Sequence, residues 1–531
     1  MQAVGSRACG CTAGPASRAP VARRGRHHAS RAVCRGSATA SASTSPGPEA
    51  LAAFERWMAA NGADLAKGGL AVSQGPGGPA GLRLVATRDV KPGDLLAAVP
   101  EAMGVGRDAA AAELGPVVVG EAMEDWVAVA LLLLREKFRP VNPSVRGPWM
   151  ALIPYPLPGS AGGDATVLWS ESELEELQGS SLASEARAVR GYVAGVHADV
   201  VLPLVASGAL PDDPFADGDK FLWAFVVLRT RTRVPYAGVG NGGKPLRLLP
   251  GLDLLAHNGG STPGGLAVVD PPGGGLFGGS GPAGKGNAGL KCIRSAAAGE
   301  TVGVDYTLAS LDKASTRLTL GDVAAQYGFC AGTSGFSVDL ELDEADPNLY
   351  DKADILQLAG LQGYEGSAAR FTLGALDAEG KEQSDDLFIR FLRLAVLGGG
   401  DAFHLEAIFR AEVWENHLWG ALSAENEAAA LEAALGGLEG ALASYSTSAA
   451  DDAALLATET AGTRKHIALR VRIGEKEVLG RYIDVYKGLL ADLDQESTAP
   501  EFYAERRLKA LGLLDATGTP PAVLPDEGRF V

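Results

Sequence analysis

The 531-residue sequence predicts an α+β fold, in which a core of short β-sheets carries a large helical insertion and an all-α C-terminal domain follows. Three features predict this. Short runs that alternate apolar and polar residues occur at 81–100 and 290–306. Between them, residues 107–230 look largely helical. From about residue 340 onward, apolar residues recur at helical spacing in one stripe after another.

The elements follow in order. ALAAFERWMAANGADLA (50–66) reads as an amphipathic helix with Leu51, Phe54, Trp57 and Met58 on one side. GLRLVATRDVKPGDLLAAVP (81–100) reads as two short strands with a Lys91-Pro92-Gly93-Asp94 turn between them. EDWVAVALLLLREKF (124–138) is a strongly apolar helix. Ser170 and Glu173 form a capping box that opens another helix, and FLWAFVVLRTR (221–231) is a buried helix ending in a basic cluster. The Gly- and Pro-dense stretch at 270–289 predicts a loop. LKCI and TVGVDY flank Ala298-Gly299-Glu300 as an expected hairpin, with Val302, Val304 and Tyr306 on one face. Three helical stripes follow: Leu387, Phe388, Phe391, Leu392 and Val396; Leu431, Leu435, Leu438 and Leu442; and Leu479, Tyr482, Ile483, Tyr486 and Leu490.

Charge divides the chain unevenly. The formal net charge is −17, yet residues 1–48 hold seven Arg, no Lys and no acid, so the remainder stands at −24. An acidic body repels phosphate backbones, which argues against nucleic acid as a partner. The Ala/Ser/Arg-rich leader lacks an apolar h-region and reads as an organelle transit peptide rather than a secretory signal. No run approaches 18 consecutive apolar residues, so no bilayer span is expected. Of the five Cys only Cys292 and Cys330 lie beyond the leader, with no CxxC spacing, and no His pair has metal-ligand spacing. No metal is expected. No G-x-S-x-G elbow supports a serine hydrolase. Gly238, Gly240 and Gly243 match G-x-G-x-x-G, but Pro245 and Pro250 follow where a helix should begin. Gly104, Gly106 and Ala109 match a looser form whose helix stops at Gly115-Pro116.

What remains is a set of segments. LLPGLDLLAHN (248–258) carries Asp253, Ala256 and His257, ETVGVDY carries Tyr306, and QYGFC carries Tyr327 and Phe329. Singly, each has a plain structural reading as a strand aromatic or a helix end. In order, with GLRLVATRDVKPGDLLAAVP, VALLLLREKF, VLWSESELEELQGS, FLWAFVVLRTR and IALRVRIGEKEVLGRYIDVY, they resemble the SET-domain methyltransferases of the Rubisco large-subunit lysine methyltransferase type, over roughly residues 50–493.

The resemblance implies a SET domain at 50–333, with its helical insertion at about 107–230 and its Gly-rich loop at about 270–289. A helical substrate-binding domain at 337–510 and a tail at 511–531 complete the expected organisation. It implies S-adenosylmethionine (AdoMet) as cofactor and a protein lysine entering from the opposite face, in a monomer of the chloroplast stroma, with the mitochondrion as the alternative address. Rubisco large subunit or an aldolase-like protein is the implied substrate. Residue by residue, it assigns catalysis to Tyr306. It places AdoMet against Ala80, Gly81, Leu82, Arg231, Ala256 and His257, and substrate against Thr230, Arg231, Asp253, Tyr306 and Tyr327. Ala256 stands where the family usually has Asn, with Asn258 two residues on. Ala80 replaces the usual acid, and Arg83 replaces a Gly of the first cofactor loop, which puts a long side chain at the methionine end. The alternative readings are a catalytically weak or inactive scaffold or interaction protein of the plastid, and a protein-histidine methyltransferase.

Overall fold

The computed structural model describes residues 46–75, 81–140, 145–157, 164–232, 246–257, 264–269, 287–307, 317–360, 368–375, 386–493, 495 and 497–520. Ala80, Asn258, the glycines at 238–243, most of the leader, most of the Gly-rich loop and residues 521–531 lie outside the described residues.

The strands among the described residues are β1 (Leu70–Gln74), β2 (Leu82–Ala86), β3 (Leu95–Pro100), β4 (Val105–Gly106), β5 (Arg247–Leu248), β6 (Ala256–His257), β7 (Gly264–Val269), β8 (Asn287–Cys292), β9 (Thr301–Val304), β10 (Phe336–Glu341) and β11 (Ala368–Leu373). They form a four-stranded sheet in the order β1-β2-β9-β6, a three-stranded sheet β3-β8-β7, and the pairs β4-β5 and β10-β11. Only β6 and β9 run parallel, with Ala256 opposite Gly303 and His257 opposite Val304. In β2 the two-residue period turns Leu82, Leu84 and Ala86 into the core and leaves Arg83 and Val85 on the other face.

The expected hairpin between LKCI and TVGVDY does not form. β8 pairs with β3 and β7, whereas β9 pairs with β2 and β6. The connector at 293–300 is far longer than a two-residue hairpin turn. It pairs instead with the Arg88–Asp94 region, through the Val90–Ala296 bridge and a hydrogen bond from the Gly93 N–H to the Cys292 carbonyl. Two ribbons therefore cross together from one sheet to the other, which places β9 between β2 and β6 and aims its end at the site.

The helices that frame the site are α1 (Pro48–Ala60), α2 (Arg107–Leu114), α3 (Asp125–Phe138), α4 (Leu182–Val196), α5 (Gly218–Arg231) and α6 (Leu320–Tyr327). α1 opens on Pro48, where a missing N–H costs no helical hydrogen bond, and ends at Ala60 with Phe54 and Met58 buried. α3 buries every residue from Val127 to Leu134, the pattern of a helix enclosed on all sides. The Ser170–Glu173 capping box is present. One helical run, Leu182–Ala206, is long and apolar enough to cross a membrane by length and composition. It carries Glu185, Arg187, Arg190 and Asp199, and turns Leu182, Ala183, Ala186 and Val193 into the protein interior.

The C-terminal region is built on α7 (Asp386–Ala395), α8 (Ala424–Ala443), α9 (Ala449–Leu456) and α10 (Arg464–Asp492). Its core unites Phe388, Phe391 and Leu392 with Leu431, Leu438, Leu479 and Tyr486. Leu387 departs from its stripe and is exposed. The helices are joined by the two-stranded sheet β10-β11, whose inward residues Ala369, Phe371 and Leu373 alternate along a strand too short to stand out from helical sequence. A third cluster, with Trp169, Leu174 and Leu182 on one side and Ile467 and Val471 on the other, fastens α10 to the helical insertion.

Candidate active site

β9 ends at Val304, and the chain turns at Tyr306 and Thr307. Asp305 holds that turn. Its Oδ1 accepts from the Thr307 N–H at 2.9 Å and the Thr307 hydroxyl at 2.7 Å, while Oδ2 pairs with Arg317 Nη1 at 3.1 Å. The Tyr306 hydroxyl donates to the Leu255 carbonyl, and its backbone N–H donates to His257 Nδ1 at 3.1 Å. An Nδ1 that accepts carries no proton, so the imidazole is neutral with its hydrogen on Nε2. The parallel β6–β9 pairing makes both contacts possible, because it sets Leu255 and His257 alongside the strand that delivers Tyr306.

α6 supplies the other wall. Thr319 and Asp322 box its N-terminus, and Gly328 ends it in the left-handed conformation at φ +75°. A Cβ on Gly328 would lie 2.4 Å from the Asp164 carbonyl carbon, so this reversal admits only glycine. The reversal brings Tyr327 and Phe329 to the same ring cluster. Ring centroids are 4.9 Å apart for Tyr306 and Tyr327, 5.8 Å for Tyr306 and Phe329, and 5.2 Å for His257 with each of Tyr306 and Phe329. Tyr306 and Tyr327 are buried.

A buried ion pair joins the end of α5 to residues 251–255. Asp253 Oδ2 accepts from Arg231 Nη1 at 2.9 Å and from the Trp149 indole at 3.1 Å, and Oδ1 accepts from the Gly251 N–H at 2.9 Å. Gly251 is at φ +86°, and a Cβ there would sit 2.5 Å from Met58 Cε. Burial, reinforced by the nearby Arg231 charge, pushes the Lys137 ammonium below its usual range, and Lys137 donates to the Met150 and Ile153 carbonyls. Both charged side chains of the Arg231–Asp253 pair are almost fully buried, at 1% and 0% exposure. Yet, among the described residues, Arg231 Nη2 is buried without a hydrogen-bond partner. A buried guanidinium nitrogen left over is a place for an acceptor atom of a ligand.

The residues singled out in the sequence distribute as follows. His257, Tyr306 and Tyr327 meet in one cluster, and Arg231 meets Asp253. Gly81 and Leu82 lie at the start of β2, next to β9 in the same sheet. Gly81, at φ +69°, has nothing among the described residues within 4 Å of where a Cβ would stand, which leaves its backbone open to a ligand on that side. Arg83 lies on the face of β2 opposite its core residues. Its Nη1 donates to the Thr301 hydroxyl at 3.0 Å, and its side chain lies across Gly75. Ala256 is buried in β6. The Thr230 hydroxyl is turned to the Val226 carbonyl of its own helix at 2.7 Å and is used within α5. The sequence gives no local signal for Trp149, Lys137 or the Asp305–Arg317 clamp, since each acquires its role only from partners distant in the chain.

Comparison with known proteins accords with this geometry. A family model described as the Rubisco LSMT substrate-binding domain matches residues 343–479. The chain is 32% identical over 490 residues to the chloroplastic Rubisco large subunit N-methyltransferase of Nicotiana tabacum, covering 89% of this chain and 88% of that one. The chain belongs to the Rubisco large-subunit methyltransferase family of SET-domain proteins. A second member, the chloroplastic fructose-bisphosphate aldolase-lysine N-methyltransferase of Arabidopsis thaliana, is also 32% identical, over 90% of each chain. Among solved structures, the SET domain of LSMT bound to lysine and AdoHcy matches with a TM-score of 0.68 at 30% identity, over 88% of this chain and 97% of that one. Rubisco LSMT bound to AdoMet matches with a TM-score of 0.66 at 30% identity, over 87% of this chain and 96% of that one. Membership accounts for the fold: short sheets, an inserted helical block and a helical domain whose α10 packs against that block.

Proposed function

We propose that this family member is an AdoMet-dependent protein-lysine N-methyltransferase that acts on a stromal protein of the plastid, of the Rubisco large-subunit or aldolase type. The observation that carries the reading is the unused, buried Arg231 Nη2 beside Asp253, in a chain that matches AdoMet- and lysine-bound structures nearly end to end. The residues present suit the cofactor: Gly81 offers open backbone, Arg231 a spare donor, and His257 its main chain in β6. With Ala80, Leu82 and Ala256, they are the groups we assign to hold it. AdoMet, when bound, supplies a sulfonium methyl open to in-line displacement.

The chain's own part is alignment and exclusion of water. Because the Tyr306 hydrogen is directed to Leu255, the phenol oxygen offers lone-pair density to an electron-poor methyl. An incoming lysine must be neutral to attack, and the buried rings of Tyr306 and Tyr327, with half-buried Phe329 beside them, disfavour its ammonium form. We assign Thr230, Asp253 and Tyr327 to the substrate side, with Asp253 acting through Arg231. The acid-free leader at 1–48 and the chloroplastic relatives support the stroma as address, and the acidic body supports a protein rather than nucleic acid as partner. A monomer free of membrane remains the simplest assembly. The two separate apolar cores support a boundary between domains at 50–333 and 337–510.

Calorimetric titration of AdoMet into the chain tests the reading: no heat at millimolar cofactor would leave the scaffold alternative standing. With binding established, Tyr306→Phe is expected to lower radiolabelled methyl transfer into stromal proteins by roughly 10²-fold, the scale of losing one preorganised transition-state contact. An unchanged rate refutes the role of Tyr306. Mapping the label to histidine rather than lysine would shift the acceptor class.

A further inference from the structure

Gln326 is the residue before Tyr327 on α6, half-buried and facing α5. Its Nε2 lies 2.9 Å from the Arg229 carbonyl oxygen and 2.9 Å from the Tyr327 hydroxyl. A carbonyl can only accept, so the amide orientation is settled: the nitrogen faces both partners. A carboxamide nitrogen has two hydrogens, and each has a place to go. The first meets a carbonyl in the last turn of α5, where a helix runs out of its own donors. The second falls on the phenol oxygen of Tyr327.

This contact sets a polarity. A phenol has one hydrogen in the plane of its ring, on one side of the oxygen or the other. When Gln326 donates from one side, the Tyr327 hydrogen is directed to the opposite side. The amide thus decides where Tyr327 accepts and where it donates, while tying that choice to the end of the helix that carries Arg231.

We propose that Gln326 is a positioning residue for the acceptor lysine, fixing the direction of the Tyr327 O–H and through it the way the incoming amine is held. The proposal rests on the reading that Tyr327 lines the lysine channel. A neutral amine attacks with its lone pair, so neighbouring hydroxyls must not capture that lone pair in the wrong orientation. Reversing the Tyr327 hydroxyl would change the amine's hydrogen-bonding options without touching the cofactor side. Gln326→Leu removes the donor. Gln326→Glu reverses it, because a carboxylate accepts from the phenol and repels the Arg229 carbonyl.

Two readouts test this together. In steady-state methyl transfer, both variants are expected to lose about ten-fold in kcat/KM for the protein substrate, the effect of one hydrogen bond, with AdoMet affinity within about two-fold of the parent. In fluorotyrosine-labelled protein, with the Tyr327 signal assigned by Tyr327→Phe, ¹⁹F NMR titration reads the polarity without catalysis. Donation to the phenol oxygen favours the phenolate, so the Tyr327 pKa should rise in Gln326→Leu and rise further in Gln326→Glu. Wild-type kcat/KM in both variants, or a Tyr327 titration that neither variant moves, overturns the proposal. If the parent protein methylates no stromal protein, the functional reading fails on its own account. The titration then still decides whether Gln326 orients Tyr327, and an unmoved signal rejects it there too.

Discussion

Two buried arginines show what separates a site from its scaffold. In the helical domain, Arg393 of α7 meets Glu427 of α8 through two parallel bonds, Nε to Oε2 at 2.6 Å and Nη2 to Oε1 at 2.8 Å, and its Nη1 donates to the Leu418 carbonyl at 3.1 Å. Each of its three nitrogens has an acceptor. Arg231, at the end of α5, is buried more deeply, yet it reaches Asp253 through Nη1 alone and leaves Nη2 without a partner. Asp253 is meanwhile well supplied, with Trp149 and the Gly251 N–H as further donors. An ion pair that only holds helices together can satisfy every donor. One that keeps a buried donor in reserve accepts a cost of about 1–3 kcal/mol, which a bound ligand recovers. The difference is in the partners supplied, because both arginines are buried and both face a carboxylate.

The largest effect is expected where the pair is complete. Arg393→Met leaves Glu427 charged and uncompensated in the core, and should destabilise the protein by about 3–5 kcal/mol. Glu427→Leu added to it should restore most of that loss, because an apolar pair replaces an ionic one. Denaturant midpoints followed by circular dichroism check both. A loss under about 1 kcal/mol in the single variant would show that completeness of pairing is not what stabilises this contact.

A third buried acid sharpens the contrast, since among the described residues no cation pairs with it. Glu475 of α10 accepts from Ser180 of the insertion at 2.9 Å and from Tyr445 at 2.6 Å, and burial pushes its pKa up to about 7 from 4.5, with Glu185 and Asp322 adding to the rise. The folded chain therefore binds this proton more tightly than the unfolded chain does. The resulting stability is complete below about pH 4.5 and is lost as pH rises to 7. At roughly 1.4 kcal/mol per pH unit, the loss is about 3 kcal/mol. Glu475→Gln, neutral at every pH, should flatten that slope and exceed the parent in stability at pH 8. Unfolding free energies at pH 5.5 and 8 decide it. A parent whose stability does not fall relative to the variant would remove Glu475 as the source of the slope.

These buried polar groups also mark how far the sequence could be read. The two-residue period of LRLVA, the apolar run of α3 and the Ser170 capping box state their structures locally. So do the ordered segments that carry Asp253, His257, Tyr306 and Tyr327, once they are taken together. Pairing partners do not. TVGVDY looks like one half of a hairpin because its neighbour in sequence is also a strand, but its hydrogen bonds go to β2 and β6. Ala368–Leu373 is six residues of alternation inside helical surroundings, and only Phe336–Glu341 reveals it as a strand. Arg83 stands where the family usually has a Gly, and only the structure shows that its side chain reaches Thr301. That Arg231 meets Asp253 through one nitrogen and leaves another unused is invisible in the sequence, as is the bond that Trp149 makes to Asp253 across 104 positions.

The smallest of these effects bears most directly on the comparison. Arg231→Lys keeps a positive charge next to Asp253 but removes the planar fork, so the spare donor disappears while the ion pair can persist. If Nη2 is held for the cofactor, AdoMet affinity should fall by one charge-assisted hydrogen bond, about 1.5–3 kcal/mol or 10- to 150-fold. Thermal stability of the ligand-free protein should change little, since Nη2 contributes no bond to the fold. The equivalent exchange at Arg393 should give the opposite pattern, with stability lost and AdoMet affinity kept, because there every nitrogen is used within the protein. Calorimetry and thermal melts on the two variants separate the cases. Equal AdoMet affinity in Arg231→Lys and the parent would mean that the unpaired nitrogen is not a cofactor contact, and the distinction between the two arginines would then have to rest on the substrate side.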